Sequence, residues 1–188
     1  MTSLRDKVVF ITGASSGIGR SCARAFARQG ARILMAARRL ERLEKLTADL
    51  KAEFGAMAHS FELDIRDQAA VERALSALSP EWEAVDVLVN NAGLSRGLDK
   101  LHEGKITDWE EMIDTNVKGL LYVSRAVIPG MVRRGRGHII NIGSIAGREV
   151  YPNGNANILA IGPGGQTRRC SGHYRSQCCP QSRCGHLC

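Results

Sequence analysis

Short apolar runs recur between Lys7 and about Gly147, and segments of helical periodicity separate them. The runs are rich in β-branched residues, as expected of strands that are buried on both faces of a parallel sheet. They are Val8 to Thr12, Ala31 to Ala36, Ala58 to Leu63, Val85 to Asn90 and His138 to Ile142. The pattern therefore predicts a sheet of parallel strands, with the last of these runs as its final strand.

Apolar residues spaced three and four apart predict amphipathic helices between the strands, each with one face packed on the sheet. The four apolar stripes are Ile18, Cys22, Ala25 and Phe26; Leu40, Leu43, Leu46 and Leu50; Val71, Ala74, Leu75 and Leu78; and Trp109, Met112, Ile113, Val117, Leu120 and Leu121. Strands that alternate with helices favour right-handed crossovers. We therefore expect a Rossmann-like α/β fold, a doubly wound parallel sheet with its ligand crevice at the carboxyl ends of the strands.

Length and composition agree with one globular core. A chain of 188 residues is of ordinary single-domain size, and its 44% hydrophobic and 24% charged residues are close to globular averages. No apolar run approaches the roughly 20 residues of a membrane span. The run from Val8 to Ile11 is too brief for the core of a secretory signal, so we expect a cytoplasmic protein without a membrane partner.

The formal net charge of +7 raises the possibility of a nucleic-acid partner. Much of that excess lies at the end of the chain, where residues 155–188 contain no Asp, Glu or Lys and four arginines. No basic face with interleaved aromatic residues is visible elsewhere. The distribution of charge therefore argues against nucleic-acid binding.

A glycine-rich segment, Thr12 to Gly19, follows the first predicted strand and opens the first predicted helix. In that position Gly13 permits a tight turn, Gly17 lets the backbone approach a pyrophosphate, and Gly19 allows close packing of helix and strand. The anion would lie at the helix N-terminus. An ordinary glycine-rich turn is the alternative, but the place between strand and helix favours nucleotide binding.

The end of the second strand carries arginine where a site for NAD would carry an acid. The sequence there is Ala36-Ala37-Arg38-Arg39, and no carboxylate is present to bind a ribose 2′-hydroxyl. The planar guanidinium of Arg38 can pair with a 2′-phosphate, so NADP is favoured over NAD. We interpret Arg39 and Arg42 as residues at the solvated start of the next helix.

Four motifs in order now resemble the short-chain dehydrogenase/reductase family. They are Thr12 to Gly19, Asn90-Asn91-Ala92-Gly93, Asn116, and Asn141 to Gly147. The resemblance extends over roughly Lys7 to Asn155, and from Trp109 to Gly147 it is strongest to NADP-dependent 3-hydroxy acid or serine dehydrogenases. It implies an oxidoreductase that moves hydride between a nicotinamide and a secondary alcohol or carbonyl, with a small molecule as substrate.

The resemblance also implies roles for particular residues. Asp64 and Ile65 would lie against the adenine, although Asp64 also fits a turn residue. The residues implied for the pyrophosphate and the ribose are Gly13, Ser15, Ser16, Gly17, Ile18 and Gly19, with Asn91, Ala92 and Gly93. For Asn90, a tie between strands is the favoured interpretation.

The catalytic set of the family is incomplete in this sequence. Asn116 matches the asparagine that holds a water in the proton relay, and Ser144 matches the serine that hydrogen-bonds the substrate oxygen, although it also fits a loop cap. The acid/base of the family is a tyrosine followed four residues later by lysine. Asn157 and Ile161 occupy those positions here, and no Tyr-x-x-x-Lys occurs anywhere in the chain.

The end of the chain differs in composition from the rest. We expect an NAD(P)-binding Rossmann domain over residues 1–154 and an irregular, disordered or frame-shifted tail over residues 155–188. The tail concentrates Cys170, Cys178, Cys179, Cys184 and Cys188, but it lacks the paired C-x2-C spacing of a zinc site. A shifted reading frame explains the loss of periodicity and the change of composition together, and no metal is predicted.

Two further hypotheses follow from the absence of the tyrosine and lysine of the family's Tyr-x-x-x-Lys motif. The chain could be a non-catalytic nucleotide-binding or regulatory module, or an inactive truncated product. Members of the family form homo-oligomers through two long helices, and the second helix is not recognisable here. The sequence therefore leaves the assembly open.

Overall fold

The computed structural model describes residues 3–144, and the strands among them form one parallel sheet. The strands are β1 (Val8–Thr12), β2 (Arg32–Ala37), β3 (Ala58–Glu62), β4 (Val85–Asn90) and β5 (His138–Asn141). They lie in the order β3-β2-β1-β4-β5, and each neighbouring pair is parallel. The predicted Rossmann-like sheet is confirmed, with strand ends within a residue of those expected.

Helices connect the strands on both faces of this sheet. They are α1 (Gly17–Arg28), α2 (Leu40–Phe54), α3 (Gln68–Ser76), the short α4 (Pro80–Glu83), α5 (Ile106–Ile113) and α6 (Leu120–Arg133), with a π-helical segment over Asp114–Gly119 that joins α5 to α6. Among the helices of residues 3–144, none combines the length and the apolar character that a bilayer crossing requires.

The core is split into two layers by the sheet, and β1 contributes to both. Every residue of β1 is buried, as expected of a central parallel strand. Val9 and Ile11 pack with buried residues of α1 and α2, whereas Val8 and Phe10 pack with those of α3 and α6. Helices on both sides therefore hold the strand ends in place, and those ends carry the site.

The predicted packing face of α1 is wrong by part of a turn. Gly19, Ala23 and Ala27 are buried against the sheet, whereas Ile18 is 60% exposed. Cys22 and Phe26 of the predicted stripe are partly buried against the same core, so the prediction is correct for these two residues. Ile18 instead points into the crevice beside the glycine-rich turn.

The predicted stripe of α5 and α6 is correct for Met112, which is buried with Trp109 packed against it, and wrong for three of its later residues. Ile113, Val117 and Leu121 are exposed, and the residues that pack inward are Met112, Thr115, Gly119, Val123, Val127 and Met131. The π-helical segment inserts an extra residue into the helical repeat, which rotates the inward face. Gly119 lies there because an added Cβ would be 2.6 Å from Cδ1 of Ile65.

Candidate functional site

An open cleft of about 620 Å³ lies at the carboxyl ends of the strands. The chain runs from β1 outward to β3 and then crosses to β4, so the sheet reverses its order between β1 and β4. This is where open α/β sheets bind ligands. The cleft is lined by the predicted residues Gly13, Ser15, Ser16, Gly17, Ile18, Arg38, Asp64, Ile65, Asn91, Ala92, Gly93, Asn116 and Ser144.

A second cavity, of about 530 Å³, lies at the opposite end of the sheet. Its lining includes Arg5 and Asp6 before β1, Gly30 before β2 and Met57 before β3. It therefore faces the amino ends of the strands. None of the predicted site residues lines it.

The glycine-rich turn is packed tightly against the loop after β4. Gly13 has a φ of +65°, and a Cβ added there would be 2.7 Å from Cα of Ala92. A Cβ at Gly19 would be 2.4 Å from Nδ2 of Asn91 and 2.6 Å from the carbonyl oxygen of Gly13. Gly19 is buried behind the cleft, whereas Gly17, with a φ of +54°, has open space in front of it. Only residues without a side chain permit this arrangement.

Thr12 holds the two loops together, a role that we did not assign from the sequence. Its Oγ1 accepts hydrogen bonds of 3.1 Å from the main-chain N–H groups of Asn91 and Ala92. In the other direction, Nδ2 of Asn91 donates hydrogen bonds to the carbonyl oxygens of Thr12, at 2.9 Å, and Gly13, at 3.2 Å. Since both Nδ2 contacts go to backbone, the Asn91 amide group shapes the turn.

Asn90 ties strands together, the interpretation favoured from the sequence. Its Nδ2 donates to Oδ1 of Asn141 at 2.9 Å and to Oγ of Ser124 at 3.0 Å. These bonds connect the end of β4 to β5 and α6. Asn90 thus positions the strand ends on which the rest of the site depends.

Two arginines flank the glycine-rich turn where β2 ends. Arg38 is exposed, lines the cleft and makes no hydrogen bond or ion pair with other residues of 3–144. Arg39 donates from Nη2 to the hydroxyls of Ser15 at 3.2 Å and Ser16 at 3.3 Å. Arg39 is exposed at the N-cap of α2, as predicted, and its contacts with Ser15 and Ser16 are an addition that the sequence interpretation did not include. Arg42 is exposed on α2, outside the cleft lining.

Asp64 closes a turn, as one of its two sequence interpretations predicted, and its side chain also lines the cleft. Its Oδ1 accepts from the main-chain N–H of Arg66 at 3.0 Å, and the Arg66 guanidinium contacts both carboxylate oxygens. The hydrogen bond from the Arg66 side chain is the main cause that lowers the pKa of Asp64 from its ordinary value. Arg66 itself was not singled out from the sequence.

Asn116 lies in the π-helical segment and is bonded to the loop after β4. Its Oδ1 accepts from the main-chain N–H of Leu94 at 2.8 Å, and its Nδ2 donates to the Leu94 carbonyl at 2.7 Å. The side chain thus fixes the loop that follows Gly93. Ser144 lines the same cleft. Asn157, Ile161 and the tail cysteines lie outside the described residues.

No group of three His, Cys, Asp or Glu side chains that could hold a metal ion occurs between residues 3 and 144. The polar groups of the cleft are amides, hydroxyls, guanidinium groups and the Asp64 carboxylate, which is engaged by Arg66. The guanidinium groups suit an anionic organic ligand.

The profile of the short chain dehydrogenase family matches residues 7–156. The chain belongs to this family. It is 49% identical over 148 residues to the NADP-dependent 3-hydroxy acid dehydrogenase YdfG of Escherichia coli (strain K12), a match that covers 79% of this chain and 58% of the relative. It is also 39% identical over 156 residues to the NADP-dependent 3-hydroxy acid dehydrogenase of Schizosaccharomyces pombe, with 82% and 60% covered.

Solved structures agree with this membership. Serine dehydrogenase from Escherichia coli superimposes with a TM-score of 0.75 at 47% identity, over 81% of this short-chain dehydrogenase and 69% of that chain. A metagenomic short-chain oxidoreductase in complex with NADP gives a TM-score of 0.79 at 35% identity, over 85% and 72%. The resemblance inferred from the motifs is confirmed. The chain spans about 58% of the length of the curated relatives named YdfG.

Proposed function

We propose that this short-chain dehydrogenase binds NADP in the cleft between β1 and β4. The observation that carries the proposal is the pair of arginines in the cleft lining, Arg39 bonded to the hydroxyls of Ser15 and Ser16 and Arg38 exposed next to it in the chain. A 2′-phosphate placed there meets two guanidinium groups and two hydroxyl donors, and no carboxylate lines the cleft at the end of β2. Relatives named as NADP-dependent, and a neighbour complexed with NADP+, support the choice of cofactor.

The described residues fit the rest of such a cofactor. Gly17 leaves open space where an added Cβ would protrude, and the first turn of α1 lies beside it. A helix N-terminus favours the pyrophosphate charge through its unpaired N–H groups. The Asp64 and Ile65 side chains line the cleft on the β3 side, where we place the adenine, and Asn91 to Gly93 line the side of β4, where we place a ribose.

The reaction that we propose for this lineage is hydride transfer with a secondary alcohol or a carbonyl, and 3-hydroxy acids are the favoured substrate class. When bound, NADP supplies the redox chemistry. Ser144, in the cleft lining, is proposed to donate a hydrogen bond to the substrate oxygen, and Asn116 holds the loop beside it through Leu94. The names of the curated relatives support the substrate class.

We further propose that this chain turns over little or not at all. A general acid near the substrate oxygen is required, and asparagine at 157 cannot supply a proton in the way a phenol does. Isoleucine at 161 offers no ammonium to lower the pKa of a phenol. A chain with a cofactor site but without the catalytic tyrosine and lysine could also serve as a non-catalytic nucleotide-binding module, which is the second candidate function.

The change of composition after residue 154 supports a shifted reading frame as its origin. The match to the family ends at residue 156, next to the first unexpected residue, Asn157. The coding DNA around Asn155 to Asn157 tests this. Another frame that encodes a Tyr-x-x-x-Lys helix supports the proposal, and the lack of such a frame would contradict it.

Replacement of Arg38 by glutamine is expected to weaken NADPH binding about 10- to 100-fold, since a charge-assisted bond to phosphate contributes roughly 1.5–3 kcal/mol. NADH binding should stay within about twofold, because NADH lacks the 2′-phosphate. Fluorescence titration of both cofactors measures the two affinities. Arg42→Gln is the matched control, because it removes the same charge outside the cleft lining. Equal losses for NADPH and NADH in Arg38→Gln would contradict the assignment.

We also propose that the chain self-associates. The supporting feature is an exposed apolar stripe along α5, the π-helical segment and α6. Leu121 is 57% exposed and Val132 is 71% exposed. The stripe continues through exposed residues that recur four or seven positions apart, namely Ile106, Ile113, Val117 and Ile128. A contiguous apolar face of this length is typical of a protein interface.

Introduction of a charge into this stripe is expected to shift the protein toward the monomer. Leu121→Glu should lower the mass measured by light scattering at a fixed concentration, because the carboxylate would be desolvated in the contact. Thr107→Glu adds the same charge at an exposed position outside the stripe and should leave the mass unchanged. If both variants keep the mass of the wild type, the stripe is not the contact.

A further inference from the structure

We propose that Arg66 sets the cofactor preference of this cleft by engaging the carboxylate of Asp64, which leaves Arg38 available for the 2′-phosphate. The inference rests on the proposed binding of NADP. It assigns to Arg66 a positioning role that acts through a neighbouring acid rather than through contact with the ligand.

Arg38 and Asp64 leave the sheet side by side. Ala37 is the register partner of Glu62 across β2 and β3, and the main-chain N–H of Leu63 donates to the Ala37 carbonyl at 3.1 Å. Arg38 directly follows Ala37, Asp64 directly follows Leu63, and both Arg38 and Asp64 line the cleft. A guanidinium and an aspartate carboxylate therefore follow adjacent strands, β2 and β3, at the same edge of the cleft.

These two opposite charges are nevertheless not paired with each other. The Asp64 carboxylate is engaged by Arg66, whose Nε is 3.0 Å from both oxygens and whose Nη2 is 2.5 Å from Oδ2. The main-chain N–H of Arg66 adds a bond of 3.0 Å to Oδ1. Such a forked contact uses both carboxylate oxygens. Arg38 makes no ion pair with the other residues of 3–144, and its guanidinium is exposed.

A second acid, Glu111, is also engaged by guanidinium groups. Oε1 of Glu111 lies 3.6 Å from Nη1 of Arg66, and Oε2 accepts from Nε of Arg96 at 2.9 Å. Arg38 lies close enough to contribute to a lowered pKa of both Asp64 and Glu111, after the larger contributions of Arg66 and Arg96 respectively. Both carboxylates are therefore within electrostatic range of Arg38 and are engaged by other guanidinium groups.

Removal of the Arg66 guanidinium would change which cation the Asp64 carboxylate can pair with. The Asp64 carboxylate would lose its forked partner, while the cation of Arg38 remains in electrostatic range. A carboxylate bound to Arg38 would compete with the 2′-phosphate for the same donors, and its charge would repel the phosphate. NADH carries no 2′-phosphate and is indifferent to this competition.

The experiment measures binding rather than turnover. NADPH and NADH are titrated by fluorescence into the full chain and into Arg66→Gln, Asp64→Asn and the double variant. Arg66→Gln is expected to reduce the ratio of NADPH to NADH affinity about tenfold. In the double variant the ratio should return to within about twofold of the wild type, because the amide of asparagine cannot compete as an anion. Arg73→Gln, at an exposed position on α3 outside the cleft, is the matched control and should leave the ratio unchanged.

Other outcomes separate this inference from the proposed function. A loss of affinity for both cofactors in equal measure would show that Arg66 is only structural. Failure of Asp64→Asn to restore the ratio in the double variant would also overturn the inference. Arg66→Lys keeps a cation beside Asp64 without the forked contact and should lower the ratio less than Arg66→Gln, so this variant tests the inference even if Arg66→Gln folds poorly. A wild-type chain that binds neither cofactor would instead refute the proposed function.

Discussion

Replacement of Gly13 by alanine is expected to destabilise the chain by about 2–5 kcal/mol and to abolish measurable NADPH binding. The left-handed backbone accounts for about 1–2 kcal/mol. Overpacking adds about 1–3 kcal/mol, because the new Cβ would lie 2.7 Å from Cα of Ala92 and the backbone would have to move. Denaturant unfolding and cofactor titration measure the two effects.

Two other glycines separate the causes. Gly55 has a φ of +61° with nothing within 4 Å of an added Cβ, so Gly55→Ala reports the backbone cost alone. Gly17 has a φ of +54° and equal freedom from contacts, but it lines the cleft. Gly17→Ala should match Gly55→Ala in stability and lose NADPH affinity, since the methyl group occupies space proposed for the pyrophosphate. If Gly13→Ala were no less stable than Gly55→Ala, the close contact with Ala92 would not constrain the turn.

Turnover by the chain as written is expected to lie at least about 10²- to 10⁴-fold below that of an enzyme with the full catalytic set, which is the usual contribution of a general acid or base. NADPH should bind and yet remain unoxidised when 3-oxo acids or aldehydes are added. Absorbance of NADPH over time measures the rate. Cofactor titration in the same preparation shows whether the protein is folded and loaded.

Two variants give this prediction its controls. Ser144→Ala should leave the residual rate unchanged. The rate of the unaltered chain is limited by the missing tyrosine, the general acid of the family, and the serine does not replace it. A chain corrected to a reading frame that encodes the Tyr-x-x-x-Lys helix should regain activity and then lose it on Ser144→Ala. Robust oxidation of NADPH by the uncorrected chain, abolished by Ser144→Ala, would overturn the proposal.

The strand and turn chemistry was accessible from the sequence because it depends on local pattern. Val8 to Thr12 and Val85 to Asn90 are continuous apolar runs, and both strands have those bounds in the structure. The glycine positions were accessible for the same reason, since a strand followed by this motif and a helix has few backbone solutions. By contrast, the inward face of α6 was not accessible, because the π-helical segment that rotates it has no simple sequence signature.

The sequence also did not reveal the side-chain contacts between segments that are far apart in the chain. Arg39 was placed at a solvated helix start, yet it reaches Ser15 and Ser16 across the cleft. Arg66 attracted no notice, because its role depends on Asp64 and on Glu111, a residue of a distant helix. Several exposed arginines have similar sequence surroundings, so only their positions in space distinguish them.

The sequence by itself determined the family, the order of strands and helices, the glycine-rich turn and the lack of a Tyr-x-x-x-Lys pair. These follow from residue identity and from periodicity along the chain. The tertiary structure decided which side chains share the cleft, which face of α5 and α6 stays exposed and, among residues 3–144, that Arg38 in the cleft makes no ion pair. Those features depend on distances between segments far apart in the chain, and such distances are set by the packing of helices against the sheet.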